Sequence, residues 1–376
     1  MTEWTRHLRP ALAGLVVYDS AAELPGQGPV RARLHANECP EPWPEEVMAE
    51  LARRLKAVEL GRYPDSSGRS LRELLAARHG CDADQVVLGN GSDEIISLLI
   101  TALAGRPSEP SFMVIPAPTF VMYAHSARCL GVGVLEVPLT EDLQLDEPLM
   151  NEALGVATGA ALCFLARPNN PTSSLWDADI IARLVEAHPG TMFVIDEAYI
   201  RYAPGASLWR TDLPSNVTYM STLSKVGLAA LRVGYCIAPP ALARAINVVR
   251  HPYNLSTTSL LLAETVLRDF APVQDAMISQ SLTNRARLVE ILGRLPGARV
   301  FPAHANIVLV CLAVADDAPR LATELAARGV LVKDASGLPR LTGCLRLSVG
   351  TTAELDALEQ ALAEILPVTR KREKSS

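Results

Sequence analysis

Lys225 is the only lysine between Lys56 and Lys333 in this 376-residue chain, and it lies in an apolar stretch. Its apolar neighbours are Leu223, Val226 and Leu228. An ammonium group placed among them is poorly solvated, which favours the neutral, nucleophilic amine. Such an amine can form a Schiff base with an aldehyde. The stretch therefore predicts covalent chemistry with a carbonyl compound at Lys225.

Groups that suit a phosphate lie beside the same lysine. Thr222 and Ser224 carry hydroxyls, and Arg232 adds a guanidinium. An amine that can bond to an aldehyde, next to groups that bind a phosphate, is typical of a site for pyridoxal 5'-phosphate (PLP). The alternative is that Lys225 is a surface lysine next to a buried apolar strand and that Arg232 is an ordinary ion-pair partner. A lysine shortly after a serine is weak evidence by itself, because it also occurs in serine acyl-transfer enzymes and by chance. The rest of the chain has to decide between the two.

Composition limits the classes of protein. A length of 376 residues predicts a large and a smaller domain, and 49% apolar with 20% charged residues is typical of a globular protein. The net charge of -6 argues against nucleic-acid or anionic-membrane partners. Seven scattered cysteines without a CxxC pair favour free thiols in a reducing cytosol and no metal site. We find no secretory pattern at the N-terminus and no apolar run of transmembrane length, so we expect a cytoplasmic protein.

Apolar strands alternate with helical stretches between residues 111 and 238, which predicts an α/β fold with a mostly parallel central sheet covered by helices. The expected strands are 112–115, 132–137, 161–165, 192–195, 217–220 and 233–237. Before them we expect helices at 11–16, 45–55 and 70–79. After residue 270 the pattern predicts a smaller α+β unit with helices at 273–295, 318–328 and 352–365 and strands at 299–301, 307–311, 330–333 and 344–349.

Ligands of parallel sheets bind at the carboxyl ends of the strands, where several candidate residues lie. Phe120 suits stacking on a ring, and Asn170 and Tyr199 suit hydrogen bonds to a phenolic oxygen. Asp196 ends a buried strand, where a carboxylate is costly unless it is paired, for instance with a protonated pyridine nitrogen. Singly, these residues also suit a core position, a Pro-Asn turn or a helix N-cap. Their succession at strand ends favours one shared site.

Three loop positions are further candidates. At the turn 89–94, Gly91 and Ser92 leave room for a phosphate to approach the free amides that begin a helix. The proline-rich stretch 34–44 is either a linker or a loop in which Asn37 borders a ligand, and the sequence favours neither. Tyr63 is held extended by the proline that follows it, which presents its hydroxyl outward.

These motifs together resemble the fold-type-I PLP-dependent aminotransferases, in particular the histidinol-phosphate aminotransferases. The resemblance spans nearly the whole chain and rests on Asn37-Glu-Cys-Pro40, Arg62-Tyr-Pro-Asp65, Gly89-Asn-Gly-Ser-Asp-Glu94, Pro118-Thr-Phe120, Arg167-Pro-Asn-Asn-Pro-Thr172, Asp196-Glu-Ala-Tyr199, Thr222-Leu-Ser-Lys225, Arg250-His-Pro-Tyr-Asn254, Ala305-Asn306 and Leu345-Arg-Leu-Ser-Val-Gly-Thr351. As a set, they are specific for the superfamily and less so for the substrate.

The resemblance implies a role for each site residue. Lys225 would bind PLP and transfer the substrate proton, and Asp196 would pair with the pyridine nitrogen. Asn170 and Tyr199 would bind the phenolic oxygen, and Phe120 would stack on the ring. The phosphate would be held by Gly91, Ser92, Asp93, Thr222, Ser224 and Arg232. The spacing from Lys225 to Arg232 is one residue shorter than is common in the family, so we expect the helix start to be wound differently there.

The resemblance also implies how substrate binds and how the chain assembles. Arg346 matches the arginine that binds the α-carboxylate of the glutamate donor, and Asn37 and Asn170 would border the substrate. Lys333 and Tyr18 are candidates for the substrate's distal phosphate. A homodimer with shared active sites is implied, in which Tyr63 reaches the partner's cofactor phosphate.

The implied reaction moves an amino group between L-histidinol phosphate/imidazole acetol phosphate and L-glutamate/2-oxoglutarate, in histidine biosynthesis. An aromatic-amino-acid aminotransferase or a threonine-phosphate decarboxylase-like enzyme of the same fold is the alternative, because the apolar run 259–262 replaces a glutamine common in the family. The third reading is a PLP-binding regulator of the same fold. We rank it below the other two because residues 1–36 leave no room for a DNA-binding domain.

We expect an N-terminal arm at 1–36 that packs with the small domain or the partner, a PLP-binding domain at 37–270 and a small domain at 271–376.

Overall fold

Two sheets organise the chain. The computed structural model describes residues 3–12, 29–104, 112–156 and 160–373. The first strand, β1 (Ala32–Leu34), belongs to a five-stranded sheet that is otherwise formed by the C-terminal third of the chain. The strands of the seven-stranded sheet are β2 (Val86–Asn90), β3 (Phe112–Ala117), β4 (Gly133–Pro138), β5 (Ala160–Ala166), β6 (Met192–Asp196), β7 (Val217–Thr222) and β8 (Val233–Ile237).

The seven-stranded sheet is mostly parallel, as the sequence predicts. Its strand order is β2-β8-β7-β6-β5-β3-β4, and β8 runs antiparallel to both of its neighbours. The pairs from β4 through β7 are parallel. Consecutive residues such as Phe193 and Val194 are both fully buried, because helices cover both faces of the sheet.

Eight helices accompany this sheet in the described ranges, and each face is covered by a different set. They are α1 (Glu45–Leu55), α2 (Arg69–His79), α3 (Gly91–Leu103), α4 (Met122–Cys129), α5 (Glu147–Val156), α6 (Ala178–Ala187), α7 (Pro240–Val249) and α8 (Thr257–Asp269). Helices α3, α4 and α7 pack on one face, together with Val194. Helices α5 and α6 cover the other face around Phe193, and α1, α2 and α8 extend that cover toward β2 and β8.

The second sheet has the order β1-β11-β12-β10-β9, with β9 (Arg299–Val300), β10 (Ile307–Cys311), β11 (Val330–Asp334) and β12 (Cys344–Ser348). Strand β1 pairs with β11 in parallel, and the other pairs are antiparallel. Three helices pack against this sheet, namely α9 (Ala271–Gly293), α10 (Asp317–Ala326) and α11 (Thr352–Glu373). Helix α9 also contacts the Lys225 segment, so it connects the two sheets.

Most predicted elements are present with shifted ends. Helix α1 and strands β8 and β10 have the predicted bounds, while α11 continues beyond the predicted end at Ile365. Of the predicted helix 11–16, only the first two residues are described, and they belong to a short 3-10 turn, Pro10–Leu12. Among the described helices, none is long and apolar enough to cross a bilayer.

The prediction that every cysteine is a free thiol is wrong for two residues. Cys311 and Cys344 are directly opposite each other on β10 and β12 and form a disulfide. The sequence does not reveal this pair, because the two residues are 33 positions apart and only the strand register brings them together. Cys39, Cys81, Cys129, Cys163 and Cys236 are free.

Candidate active site

Lys225 follows β7 in a π-helical turn, Ser224–Leu228. Within the turn, Val226 and Gly227 leave helical geometry, with φ values of -121° and 90°. The left-handed φ at Gly227 suits glycine, and the chain does not begin a regular α-helix after Lys225. The apolar neighbours expected around the lysine are present, since Leu223, Val226 and Leu228 are all buried.

Three side chains fix the carbonyls of this turn. The Tyr202 hydroxyl donates to the Lys225 carbonyl at 2.7 Å, and the Gln274 amide donates to the Val226 carbonyl at 2.8 Å. The Trp43 indole donates to the Gly227 carbonyl at 2.9 Å. Each comes from a different part of the chain, so tertiary contacts hold the lysine in place.

Lys225 and Asp196 line the same cavity. Asp196 ends β6, and its carboxylate accepts hydrogen bonds from the Tyr123 hydroxyl at 2.5 Å and the Ala198 amide at 2.9 Å. Burial raises the pKa of Asp196 to about 6, although both hydrogen bonds and the charge of Lys225 oppose that rise. Without a ligand, Asp196 is therefore partly protonated and partly ionised at pH values near 6.

Tyr123 is a site residue that the sequence reading missed. It lies on α4, is fully buried, and stacks on Phe164 with ring centroids 4.7 Å apart. Its ring also meets Phe120 edge-on at 5.5 Å. The clue in the sequence was its position three residues after Phe120, on the first turn of the helix that follows β3.

Nine of the predicted site residues line the cavity that contains Lys225, which we call the catalytic cavity. They are Ser92, Asp93, Phe120, Asn170, Asp196, Tyr199, Ser224, Lys225 and Arg232. The Lys225 Nζ lies 5.7 Å from the centroid of the Tyr199 ring. The carboxyl ends of β5, β6 and β7 thus bring together Asn170, Asp196 and Lys225, which are separate in sequence.

One end of the catalytic cavity is rich in donors. Helix α3 begins there, and the amides of its first turn have no acceptor within the helix. Arg232 donates to Asp93 at 3.1 Å and to the Ser224 hydroxyl at 3.3 Å. A Cβ added to Gly91 would lie 2.4 Å from Arg232 Nη2, so only glycine lets the guanidinium approach the helix start.

Two predicted phosphate ligands have other partners. The Gly91 amide donates to the Arg232 carbonyl at 2.7 Å, so it is engaged before any ligand arrives. The Thr222 hydroxyl lies 3.0 Å from both the Ser224 hydroxyl and the Val233 carbonyl, and Thr222 does not line the catalytic cavity. Gly91 therefore leaves space for the Arg232 side chain, and the Thr222 hydroxyl positions the Ser224 hydroxyl.

On the opposite side, a polar cluster joins the two sheets. Asn37 adopts a left-handed φ of 57° and donates through Nδ2 to the Tyr199 hydroxyl at 3.1 Å. Arg346 on β12 donates to Asn170 Oδ1 at 2.9 Å and to the His35 carbonyl at 2.5 Å. Of the two readings of the 34–44 stretch, these contacts favour the loop at the site.

Three further predicted residues lie outside the catalytic cavity or outside the described ranges. Lys333 is directly opposite Arg346 on the neighbouring strand β11. Tyr63 is 82% exposed and stacks on Tyr253 at 4.7 Å, so it does not contact the catalytic cavity of its own chain. Tyr18 falls outside the residues that the structure describes.

The donor set of the catalytic cavity fits PLP. Asp196 is buried and forms no ion pair within 4 Å among the described residues. A ligand cation such as a protonated ring nitrogen would give this carboxylate the positively charged partner that it lacks. Lys225 supplies the amine for an aldehyde, and the α3 start with Arg232 suits a phosphate. The described residues hold no group of three His, Cys, Asp or Glu side chains arranged for a metal ion.

Known proteins share both the sequence and the fold. The model of the family "Aminotransferase class I and II" matches residues 32–362. A histidinol-phosphate aminotransferase of Methylibium petroleiphilum is 42% identical, with 96% of each chain covered. One from Paracidovorax citrulli is 41% identical, covering 94% of this chain and 97% of the relative.

The crystal structure of a histidinol-phosphate aminotransferase from Sinorhizobium meliloti, in complex with pyridoxal-5'-phosphate, superimposes with a TM-score of 0.84. It is 26% identical, and the match covers 96% of this chain and 98% of that one. A family model that matches most of the chain, together with relatives above 40% identity over nearly its full length, shows that this chain belongs to the aminotransferase class I and II family.

Proposed function

We propose that this aminotransferase is PLP-dependent and moves an amino group between L-histidinol phosphate/imidazole acetol phosphate and L-glutamate/2-oxoglutarate, as a step of histidine biosynthesis. The observation that carries the proposal is the shared cavity of Lys225 and Asp196, with Arg346 bonded to Asn170. The names of the relatives that are about 40% identical support the choice of substrate.

The chain's own groups divide the chemistry among them. PLP, when bound, supplies an aldehyde and an electron-withdrawing ring. The Lys225 amine would hold the aldehyde, and once released its Nζ would take the proton from the substrate's α-carbon and deliver it to the carbon of the cofactor's aldehyde group. Asp196 keeps the ring nitrogen protonated, because a buried carboxylate is stabilised by an adjacent cation. Tyr199 and Asn170 orient the ring by bonding its phenolic oxygen.

Substrate recognition would fall to the second sheet. The planar guanidinium of Arg346 suits an α-carboxylate, and its hydrogen bond to Asn170 holds it toward the cofactor residues. Lys333 is opposite Arg346 on β11 and would supply a second positive charge for the distal phosphate. Tyr18 remains a candidate for the same phosphate.

The assembly that we propose is a cytoplasmic homodimer in which Tyr63 reaches the partner's cofactor phosphate. The exposed stack of Tyr63 on Tyr253 supports this, since an aromatic pair left in solvent is a typical interface feature.

We further propose the division into an arm at 1–36, a PLP-binding domain at 37–270 and a small domain at 271–376. The amino donor and the keto acceptor would bind in turn at the same site.

A half-reaction tests the proposal. The purified PLP-loaded protein should lose its visible cofactor absorption on addition of L-glutamate and regain it with imidazole acetol phosphate. Lys225→Ala should show no turnover, because no amine is left to move the proton. Absence of a PLP chromophore in the wild type would refute the cofactor assignment. Release of CO2, or a preference for phenylpyruvate, would identify the alternative substrates instead.

A further inference from the structure

A second cavity of about 700 Å³ lies behind the Lys225 segment, on the other side of β7 from Asp196. We call it the rear cavity, and its walls include Arg78, His79, Arg201, Trp209, Tyr235 and Asp275. Its volume is within the range of small-molecule sites, which is roughly 300–1,000 Å³. The proposed transamination uses none of these residues.

The wall of the rear cavity is aromatic. The His79 ring meets Trp209 edge-on with centroids 5.4 Å apart, and its Nε2 lies 2.9 Å from the Tyr235 hydroxyl. Tyr219 completes the group, 5.2 Å from His79. Burial and then the charge of Arg78 lower the pKa of His79 to about 4, so this imidazole is neutral near pH 7. A planar, apolar ring system fits such a wall.

The rear cavity carries an excess positive charge. Arg78 and Arg201 both line it, and Asp275 is the carboxylate among its lining residues. Arg201 pairs with Asp275, whereas Arg78 donates to the Leu267 carbonyl at 2.5 Å. Because His79 is neutral, one guanidinium charge is left without a carboxylate in the cavity. The charge balance matches a monoanion such as a carboxylate better than a dianionic phosphate.

The rear cavity and the surface expected to meet a partner subunit lie at opposite ends of α2. Helix α2 begins at Arg69, whose amide binds Asp65 close to Tyr63, and ends at Arg78 and His79. Its 11 residues span about 15 Å at 1.5 Å per residue. A dimer through Tyr63 and Tyr253 would therefore be centred at the opposite end of α2 from the rear cavity.

The same cavity touches the catalytic machinery from behind. Ala198 lines both cavities, and Val226, next to Lys225, lines the rear one. Gln274 also lines the rear cavity and donates to the Val226 carbonyl at 2.8 Å. A ligand in the rear cavity would contact the turn that contains Lys225 without occupying the substrate-binding site.

We propose that the rear cavity binds a small aromatic carboxylate and that its occupancy changes the turnover rate of the enzyme. The carboxylate would bind between Arg78 and Arg201, because Asp275 balances only one of their two charges, and the ring would lie against Trp209 and His79. The ligand would act on the position of the Lys225 turn, so it should alter kcat while leaving the KM for glutamate unchanged.

Benzoate is the probe, titrated into the PLP-loaded protein and followed by calorimetry. Arg201→Gln should weaken its binding about tenfold or more, because a charge-assisted contact is lost. The matched control is Arg210→Gln, an exposed arginine of the same loop that pairs with Asp212 and does not line the cavity. This control should bind benzoate like the wild type. Benzamide, the uncharged isostere, should bind weakly to all three proteins.

A second variant guards against misfolding of the first. Asp275→Asn removes the carboxylate that competes for Arg201, so benzoate should bind several-fold more tightly than to the wild type. The proposal is overturned if the wild type does not bind benzoate or if neither Arg201→Gln nor Asp275→Asn changes the affinity. It is also overturned if benzoate raises only the KM for glutamate, which would place it at Arg346, or if inorganic phosphate binds in preference to it.

Discussion

At the residue scale, the proposed chemistry requires a carboxylate that is buried and yet ionised. Asp196 meets these opposing demands through Tyr123 and Ala198, whose hydrogen bonds lower its pKa while burial raises it to about 6. Tyr123 in turn is held by Phe164 and by its own burial. Tyr123 would therefore help to keep Asp196 ionised for the proposed contact with the ring nitrogen.

Tyr123→Phe removes one of these hydrogen bonds and should raise the pKa of Asp196 above 6. We expect PLP affinity to fall about tenfold and the acidic limb of the pH–rate profile to move to higher pH, because the carboxylate ionises later. Absorption titration with PLP and a pH profile measure both effects. Tyr235→Phe is the control, since it removes a buried hydroxyl that bonds His79. An unmoved acidic limb in Tyr123→Phe would contradict this account.

The neighbouring carboxylate, Glu197, behaves differently. It is fully buried on the other side of the strand end and accepts hydrogen bonds from the Ser207 hydroxyl and the Leu208 amide. Burial raises its pKa from 4.5 to about 7. The unfolded chain thus releases this proton at a lower pH than the folded chain. The folded state therefore loses stability as the pH rises through that window.

Glu197→Gln should remove this pH dependence, because glutamine has no proton to release. Between pH 4.5 and pH 7, the wild type should lose roughly 3 kcal/mol more unfolding free energy than the variant. Urea unfolding of the cofactor-free proteins at the two pH values measures the difference. Asp196 is present in both proteins, so its own contribution cancels. Parallel pH profiles for the two proteins would rule the account out.

At the scale of elements, the start of α3 is the structure that the phosphate site requires. Gly91 has a φ of 77°, and Gly234 on β8 also lies close, since a Cβ there would be 2.4 Å from the Ser92 amide nitrogen. Asn254 bonds Glu94, which in turn accepts from the Asn90 amide. The strand, the helix start and Arg232 are thus locked together before a ligand binds.

Gly91→Ala tests that arrangement. The new Cβ would clash with Arg232 Nη2 in a backbone conformation that alanine rarely adopts. Arg232 should lose its contacts with Asp93 and Ser224, and PLP affinity should fall by about tenfold or more. Gly155→Ala, in α5 with no atom within 4 Å of the new Cβ, should leave PLP affinity unchanged. Equal PLP affinities for the two variants would show that the close approach does not matter.

At the scale of the whole molecule, the active site lies between two sheets of different architecture. Lys225 and Asp196 come from the parallel sheet, and Arg346 from the antiparallel one. Asn37, between β1 and α1, binds groups on both sides, with its amide nitrogen donating to Ser348 and its side chain to Tyr199. Apolar residues remain exposed near the stacked pair of Tyr63 and Tyr253.

Leu60→Asp should dissociate the proposed dimer. Leu60 is 89% exposed and lies three residues before Tyr63, so a charge there would be buried at the interface without a partner. We expect monomers by sedimentation velocity and a large loss of activity, because the proposed dimer shares its active sites. The control, Val314→Asp, places the same charge on an exposed valine of the second sheet's region and should leave the dimer intact. A dimeric and active Leu60→Asp would refute this interface.

The site was predictable where its residues lie directly after strands. Asp196 and Lys225 follow apolar strands that can be recognised locally, and parallel strands bring their ends to one edge of the sheet. Tyr123 and the engagement of the Gly91 amide were not predictable, since they depend on how α4 packs and on the close approach of Arg232. The same holds for the rear cavity.

The sequence by itself determined which segments become helix or strand and which residue types stand at the strand ends, because hydrophobic periodicity, prolines and glycines act locally. Helix α1 and strands β8 and β10 have the predicted bounds for that reason. Only the tertiary structure decided that Tyr123 bonds Asp196, 73 positions away, that Arg346 meets Asn170, and that Cys311 pairs with Cys344. Such pairs depend on strand register and on the packing of one sheet against the other. No local pattern encodes either of these.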